Sequence, residues 1–101
     1  MSLEFEWDPS KADENVKNHG VGFDEALTVF ADPAARILDD PDHSAGEVRE
    51  IIIGHSQRQR LLLVSFTERA PRIRIISARR ATKRERQNYE QSAKAEFQGP
   101  S

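Results

Sequence analysis

The sequence predicts an α+β fold with two N-terminal helices, a central antiparallel β-sheet of three to four strands and a C-terminal helix. Three observations lead there. Helix punctuation comes early, with Asp8-Pro9 opening a polar stretch and Gly20 closing it. Three apolar runs of strand length then follow at close spacing. Finally, Thr82-Lys83-Arg84-Glu85 matches a capping box, in which hydroxyl and carboxylate satisfy each other's free amides, so a last helix begins there. With 101 residues and 37% hydrophobic content the chain can bury one core, so a single domain over residues 1–101 is expected, ordered over roughly residues 5–90.

Phe5-Glu6-Trp7 reads as an extended lead-in that stops where Asp8 caps the first helix and Pro9 takes its first position. That helix should run from Pro9 to His19, with Ala12 and Val16 sharing a face and Gly20 ending it in a left-handed conformation. A second helix is expected from Phe23. There Asp24 and Glu25 favour the positive dipole end, while Phe23, Ala26, Leu27 and Phe30 form one apolar stripe up to Asp32-Pro33. Ala34 to Leu38 is a candidate strand, and the acidic stretch Asp39 to Gly46 a loop. Val48 to His55, Leu61 to Thr67 and Ile73 to Ser77 then predict an antiparallel meander. Ile51-Ile52-Ile53 and Leu61 to Val64 are apolar on both faces, so the sheet centre is covered on both sides or lies against a partner. The last helix carries one apolar line, Tyr89, Ala93 and Phe97, which predicts loose docking, and a disordered tail is expected from Gln98.

Composition narrows the chemistry. The chain has no cysteine, which excludes disulfides, thiolate zinc sites and cysteine nucleophiles. The longest apolar run, Leu61 to Val64, is far short of the ~18 residues that span a bilayer, and no basic-then-apolar leader is evident. A soluble, cytoplasmic protein with no membrane partner is therefore expected, and no motif calls for a cofactor. The net charge of −2 hides two opposed halves. Residues 1–50 hold 4 Lys and Arg against 13 Asp and Glu, a net of −9, whereas residues 51–101 hold 11 against 4, a net of +7. An acidic surface beside a basic one suits a polyanion or an acidic protein partner, although a solvated mixed-sign surface has the same composition.

The basic half is densest from Arg69 to Arg86, where Arg69, Arg72, Arg74, Arg79, Arg80, Lys83, Arg84 and Arg86 are opposed by Glu85 alone. Guanidinium forks two donors onto a phosphate and stacks on bases, so an arginine-rich strand-to-helix junction suits RNA. If Ile73 and Ile75 face the core, Arg72 and Arg74 project together from the opposite face, while Arg79 lies past the strand end and can turn to either side. Metal-free RNA cleavage must activate a 2′-hydroxyl, support the phosphorane charge and protonate the leaving oxygen. Arginine serves the second task; near the basic segment His55, Glu68, Lys83 and Tyr89 are the residue types able to serve the others. His55 follows Gly54 at a strand end and is the leading acid or base, with a structural hydrogen-bonding role as the alternative. His19, just before Gly20, reads as a residue capping the helix C-terminus. Asp40, Asp42 and His43 form at most a weak cation cluster in a solvated loop, so no metal site is expected.

Several local strings, in order, resemble the BrnT toxin family, a branch of the RelE/ParE-like ribonuclease fold. They are Phe5-Glu6-Trp7-Asp8 with Lys11 and Asn15, His19-Gly20-Val21 with Phe23 and Glu25-Ala26, Asp40-Pro41-Asp42-His43-Ser44, Ile53-Gly54-His55-Ser56, Thr67-Glu68-Arg69 and Arg74-Ile75-Ile76-Ser77-Ala78-Arg79. The resemblance implies cleavage of cellular RNA to stop growth, and neutralisation by a BrnA-type antitoxin that binds DNA. It assigns catalysis most directly to Arg74 and Arg79, then to His55 and Glu68; Arg60, Arg69, Arg72, Arg80, Lys83 and Tyr89, in the basic half, are the candidate RNA-binding residues. A non-enzymatic binder, gripping nucleic acid or a protein target with the same arginines, remains the competing reading.

Overall fold

The computed structural model describes residues 3–39 and 48–98, with side chains described through Ser92. The elements are β1 (Glu4–Glu6), α1 (Pro9–His19), the one-turn helix α2 (Phe23–Ala26) running into a 3-10 segment (Leu27–Ala31), β2 (Arg36–Asp39), β3 (Glu50–His55), β4 (Leu61–Arg69), β5 (Arg72–Arg80) and α3 (Lys83–Gln98). The five strands form one sheet in the order β1-β5-β4-β3-β2.

The helix starts and stops fall where the sequence places them. Asp8 accepts the Ser10 amide at 2.9 Å, and Gly20 (φ +69°) closes α1 by donating its N–H to the Val16 carbonyl. The box at α3 is closed from both sides: the Thr82 amide donates to Glu85 Oε1 at 2.8 Å, and the Glu85 amide to the Thr82 hydroxyl at 3.2 Å.

Four expectations need correction. The sheet is five-stranded and mixed, because the lead-in pairs as β1, in parallel with β5, with Phe5 opposite Ile73 and Glu6 opposite Arg74. Three residues are too few to show a period of two, so only the packing of Phe5 and Trp7 reveals the strand. The second helix is a single turn that tightens to 3-10 at Leu27, where the Thr28 hydroxyl donates to the Glu25 carbonyl at 2.6 Å. On α1 the residue buried after Ala12 is Asn15, while Val16 faces solvent at 51% exposure. Lastly β5 runs to Arg80, so Arg79 lies within the strand, opposite Leu63. The acidic loop and its Asp40, Asp42 and His43 lie outside the described residues, as do residues 99–101 of the expected tail; Gln98 is the last residue of α3.

Both sides of the sheet centre are covered. Ile52, Leu62, Val64, Phe66, Ile75 and Ala78 pack beneath Val21, Phe23, Ala26 and Val29. An edge-to-face line of rings, Phe5 to Phe30 and Phe30 to Phe66, each 5.1 Å apart, ties β1 to this core. On the other face Tyr89 of α3 packs with Ile53 and Leu61. Gly54 permits close approach of the chain after the 3-10 segment. A methyl there would lie 2.8 Å from the Ala35 Cβ and 3.0 Å from Asp32 Oδ2.

Candidate nucleic-acid interface

Alternation along β4 sends Leu62, Val64 and Phe66 into the helix-covered core, and Leu61, Leu63, Ser65, Thr67 and Arg69 to the opposite face. Residues directly opposite one another in an antiparallel pair share a face. Leu63 is opposite Arg79, Ser65 opposite Ser77, Thr67 opposite Arg74 and Arg69 opposite Arg72, so the four β5 residues join that second face. They do so because of a bulge. Ser65 pairs with Ser77 but Phe66 with Ile75, leaving Ile76 as the extra residue, and this brings odd-numbered Arg79 onto the same side as even-numbered Arg72 and Arg74. Among the described residues α3 covers the Leu61 end of this face and a partly open strip remains beside it, in which Thr67 is buried, its hydroxyl donating to the Val48 carbonyl at 2.7 Å. Six residue steps at a strand rise of ~3.3 Å separate Arg79 from Arg72, giving a track of about 20 Å.

At one end of the strip, His19, Ile51, Leu63, Ser65, Ser77 and Arg79 line a groove of about 210 Å³. Arg79 is fixed: its Nη1 and Nη2 donate to Glu85 Oε1 and Oε2 at 2.8 and 2.9 Å. This fork holds the Glu85 carboxyl down to about 2 and raises Arg79, leaving the guanidinium permanently charged and 42% exposed. The same carboxylate therefore caps α3 and aims the arginine. His19 reaches the groove because α1 is clamped to β5. Buried Asn15 donates from Nδ2 to the Ala78 and Val21 carbonyls, both at 2.8 Å, and its Oδ1 accepts the Ala78 amide at 3.1 Å. These bonds satisfy the edge of β5 beyond the reach of β1.

At the other end, Arg74 donates to Glu6 Oε2 at 3.0 Å, and Arg72 lies 3.9 Å from Glu6 Oε1 while remaining 55% exposed. Arg69, opposite Arg72, is exposed too. Lys83 is exposed at the start of α3, and Arg80 is exposed too but, opposite Leu62, projects from the helix-covered face and not from the strip.

The remaining sequence candidates lie elsewhere. Glu68 is opposite Ile73 and exposed on the other face of the sheet. His55 shares the second face but sits across α3 from Arg79, about 12 Å away by strand spacing and rise. Its amide donates to Asp32 Oδ2 at 2.7 Å, its Nδ1 is 3.8 Å from that oxygen, and its ring meets Tyr89 edge-on at 5.6 Å. Burial pushes the Asp32 carboxyl up, but the His55 and Ala34 amides outweigh it and hold the group below its ordinary value. Tyr89 is buried, donates to Asp32 Oδ2 at 3.4 Å and is raised, chiefly by that burial. Arg60 is held by buried Glu25: its Nε donates at 2.9 Å to Oε2, and its Nη2 binds Oε1 and, at 3.2 Å, the Gly20 carbonyl. The Ser56 hydroxyl donates to the same carboxylate at 2.6 Å. The Arg60 hydrogen bond is the main cause that lowers Glu25.

Sequence reading missed the groove position of His19, the carboxylate of Asp32 and the clamp of Asn15. His19 and Asn15 stood among the quoted signature residues; Asp32 had only its place before a proline as a signal.

A small α+β domain with an arginine-lined, partly open sheet face is thus the class that fold and site define. Residues 7–85 match the family described as "Ribonuclease toxin, BrnT, of type II toxin-antitoxin system", and the chain belongs to that family. Among solved structures it resembles the ribonuclease toxin BrnT of Brucella abortus, determined at 1.1 Å, with a TM-score of 0.62 and 20% identity over 81% of this chain and 100% of that one. That likeness concerns the fold. No functionally curated protein matches the chain. Among the described residues no helix is long and apolar enough to cross a membrane.

Proposed function

We propose that this ribonuclease toxin cleaves RNA without a metal on the open strip of its second sheet face, with Arg79 and Arg74 supporting the phosphate that reacts and its neighbours. The observation that carries the reading is Arg79, a forked guanidinium fixed by Glu85 yet still exposed at a groove. Such a donor loses little freedom on meeting a phosphorane, so its stabilisation is not spent on reorganisation. Arg72 and Arg69 extend the grip along the strand, and Lys83 adds a charge at the start of α3, whereas Arg80, paired with Leu62, belongs to the opposite face. His55, across α3, would touch a more distant nucleotide, and Glu68 lies on the opposite face of the sheet. Tyr89 acts through packing and Arg60 through Glu25, both supporting the frame.

We further propose that a BrnA-type, DNA-binding antitoxin neutralises the protein by covering this strip and α3. Ile53, Leu61, Leu62 and Val64 are already buried within the chain, so the support for this face is charge, together with half-buried Ile51 and Leu63. A cytoplasmic site of action follows from the same reading. Incubation of purified protein with RNA in EDTA tests the cleavage. Fragments ending in 2′,3′-cyclic phosphate are expected, and intact RNA would refute it.

A further inference from the structure

We propose that His19 is the proton-transferring residue of the groove, an inference that rests on the metal-free cleavage reading above. His19 is the last residue of α1 and lines the groove together with Arg79, Ser65 and Ser77. Its position is set by neighbours on both sides. Gly20, in the left-handed conformation, ends the helix there, and Asn15, one turn earlier, is bonded to both backbone groups of Ala78, the residue next to Arg79. The turn that carries the imidazole is thereby fixed to the strand that carries the guanidinium.

The His19 side chain is exposed and forms no hydrogen bond or ion pair among the described residues. The contrast with His55 is plain, since that residue's amide is held by Asp32 and its ring by Tyr89 on the other flank of α3. The charged group facing His19 across the groove is Arg79 of β5; β3 and β4 contribute Ile51, Leu63 and Ser65, and its own helix carries exposed Lys17.

In the step this arrangement performs, neutral His19 takes the proton of the 2′-hydroxyl while O2′ bonds to phosphorus. The P–O5′ bond breaks, and the leaving 5′-oxygen receives a proton from water. Imidazolium then returns its proton to the resulting hydroxide, so the histidine is regenerated. The products are a 2′,3′-cyclic phosphate and a 5′-hydroxyl. Arg79 holds the non-bridging oxygens throughout.

Single-turnover cleavage of an RNA oligonucleotide in EDTA by the parent, His19→Ala, His19→Gln and Lys17→Ala proteins tests this. Affinity for a 2′-deoxy analogue, which cannot be cleaved, is measured alongside. Loss of a general base costs on the order of 10²- to 10⁴-fold in rate. Both His19 variants should therefore fall at least ~100-fold in rate while binding the analogue within about twofold of the parent, with Lys17→Ala cleaving normally. The limb of the pH–rate profile that rises as an imidazole deprotonates should vanish in His19→Gln. Cleavage by either folded His19 variant within about threefold of the parent would overturn the proposal and leave metal-free cleavage standing. A parent protein that leaves RNA intact in EDTA would overturn both.

Discussion

Glu85 grips Arg79 with both carboxylate oxygens, at 2.8 and 2.9 Å, while its Oε1 also accepts the Thr82 amide that begins α3. One side chain therefore links the start of a helix to the direction of a strand arginine. Arg79→Ala should abolish growth inhibition while the protein still folds, because the half-exposed Arg79 side chain fills no space in the core. Arg79→Lys should fail to rescue, since an ammonium cannot fork onto a carboxylate and a phosphate as guanidinium does. Colony counts after induction, with a thermal melt of each purified variant, check both expectations. Full toxicity of soluble Arg79→Ala would remove Arg79 from the site.

Arg60 should behave in the opposite way. Its removal leaves the Glu25 carboxylate, 6% exposed, with only the more distant and exposed Arg58 at 3.8 Å as a counter-charge, and breaking such a buried pair typically costs about 3–5 kcal/mol. Urea unfolding of Arg60→Ala should show that loss, whereas Arg60→Met combined with Glu25→Leu should recover most of it. Unchanged stability together with weakened RNA affinity would instead make Arg60 an RNA contact.

Acid should weaken the fold through the same carboxylates. Glu85, held at about 2 against an ordinary 4.5, and Glu25, lowered chiefly by its hydrogen bond from Arg60, both have depressed folded-state values. Groups of this kind add stability that is fully present above the unfolded value of 4.5 and is lost as pH falls through the folded one. Urea midpoints should therefore stay level above about pH 5 and drop between about 4.5 and 2. Glu85→Gln should lower the neutral-pH midpoint and flatten the acid slope; a slope identical to the parent's would contradict the assignment.

Binding to RNA should weaken steeply with salt, because each phosphate contact by the arginine track releases condensed counterions. Arg72→Ala, far from the groove, should reduce the slope of log K against log salt by roughly one unit for a duplex contact and somewhat less for single strands. Its effect on the rate for bound RNA should be small. Filter binding across a salt series measures this, and a salt-independent affinity would rule out the strip as the RNA surface.

Hydrogen exchange should locate the antitoxin. Protection is expected over β5 and the start of α3, where charge complementarity is greatest. Protection confined to residues 9–30, with the sheet exchanging as in the free toxin, would point to neutralisation at a distance.

The legible parts of the fold were those governed by local chemistry. Asp8, Gly20 and the Thr82–Glu85 box each act within a few residues, so spacing alone placed the helix ends. The meander was visible for the same reason, since Ile51 to Ile53, Leu61 to Val64 and Ile73 to Ile75 are strand-like runs between turn residues. What escaped depends on residues distant in sequence. β1 exists because β5 lies beside it, 68 positions away at Glu6–Arg74. Asn15 is buried because Ala78, 63 positions on, needs its amide. Sequence also pointed to the arginines but not to their separate employments, because the partners that distinguish Arg60 from Arg79 are Glu25 and Glu85, on different elements.

The extra residue at Ile76 carries a lesson about mutational tolerance. With strict alternation, a strand can present Ile73 and Ile75 to the core or Ala78, but not all three, and the arginines at its two ends would part company. Chain length at this point therefore fixes which way Arg79 looks, independently of any side chain that touches RNA. Substitutions at Ile76 should be absorbed, whereas deleting it should disarm the toxin as thoroughly as losing the arginine. Indels in this strand, more than replacements, are the changes by which such a toxin would fall silent.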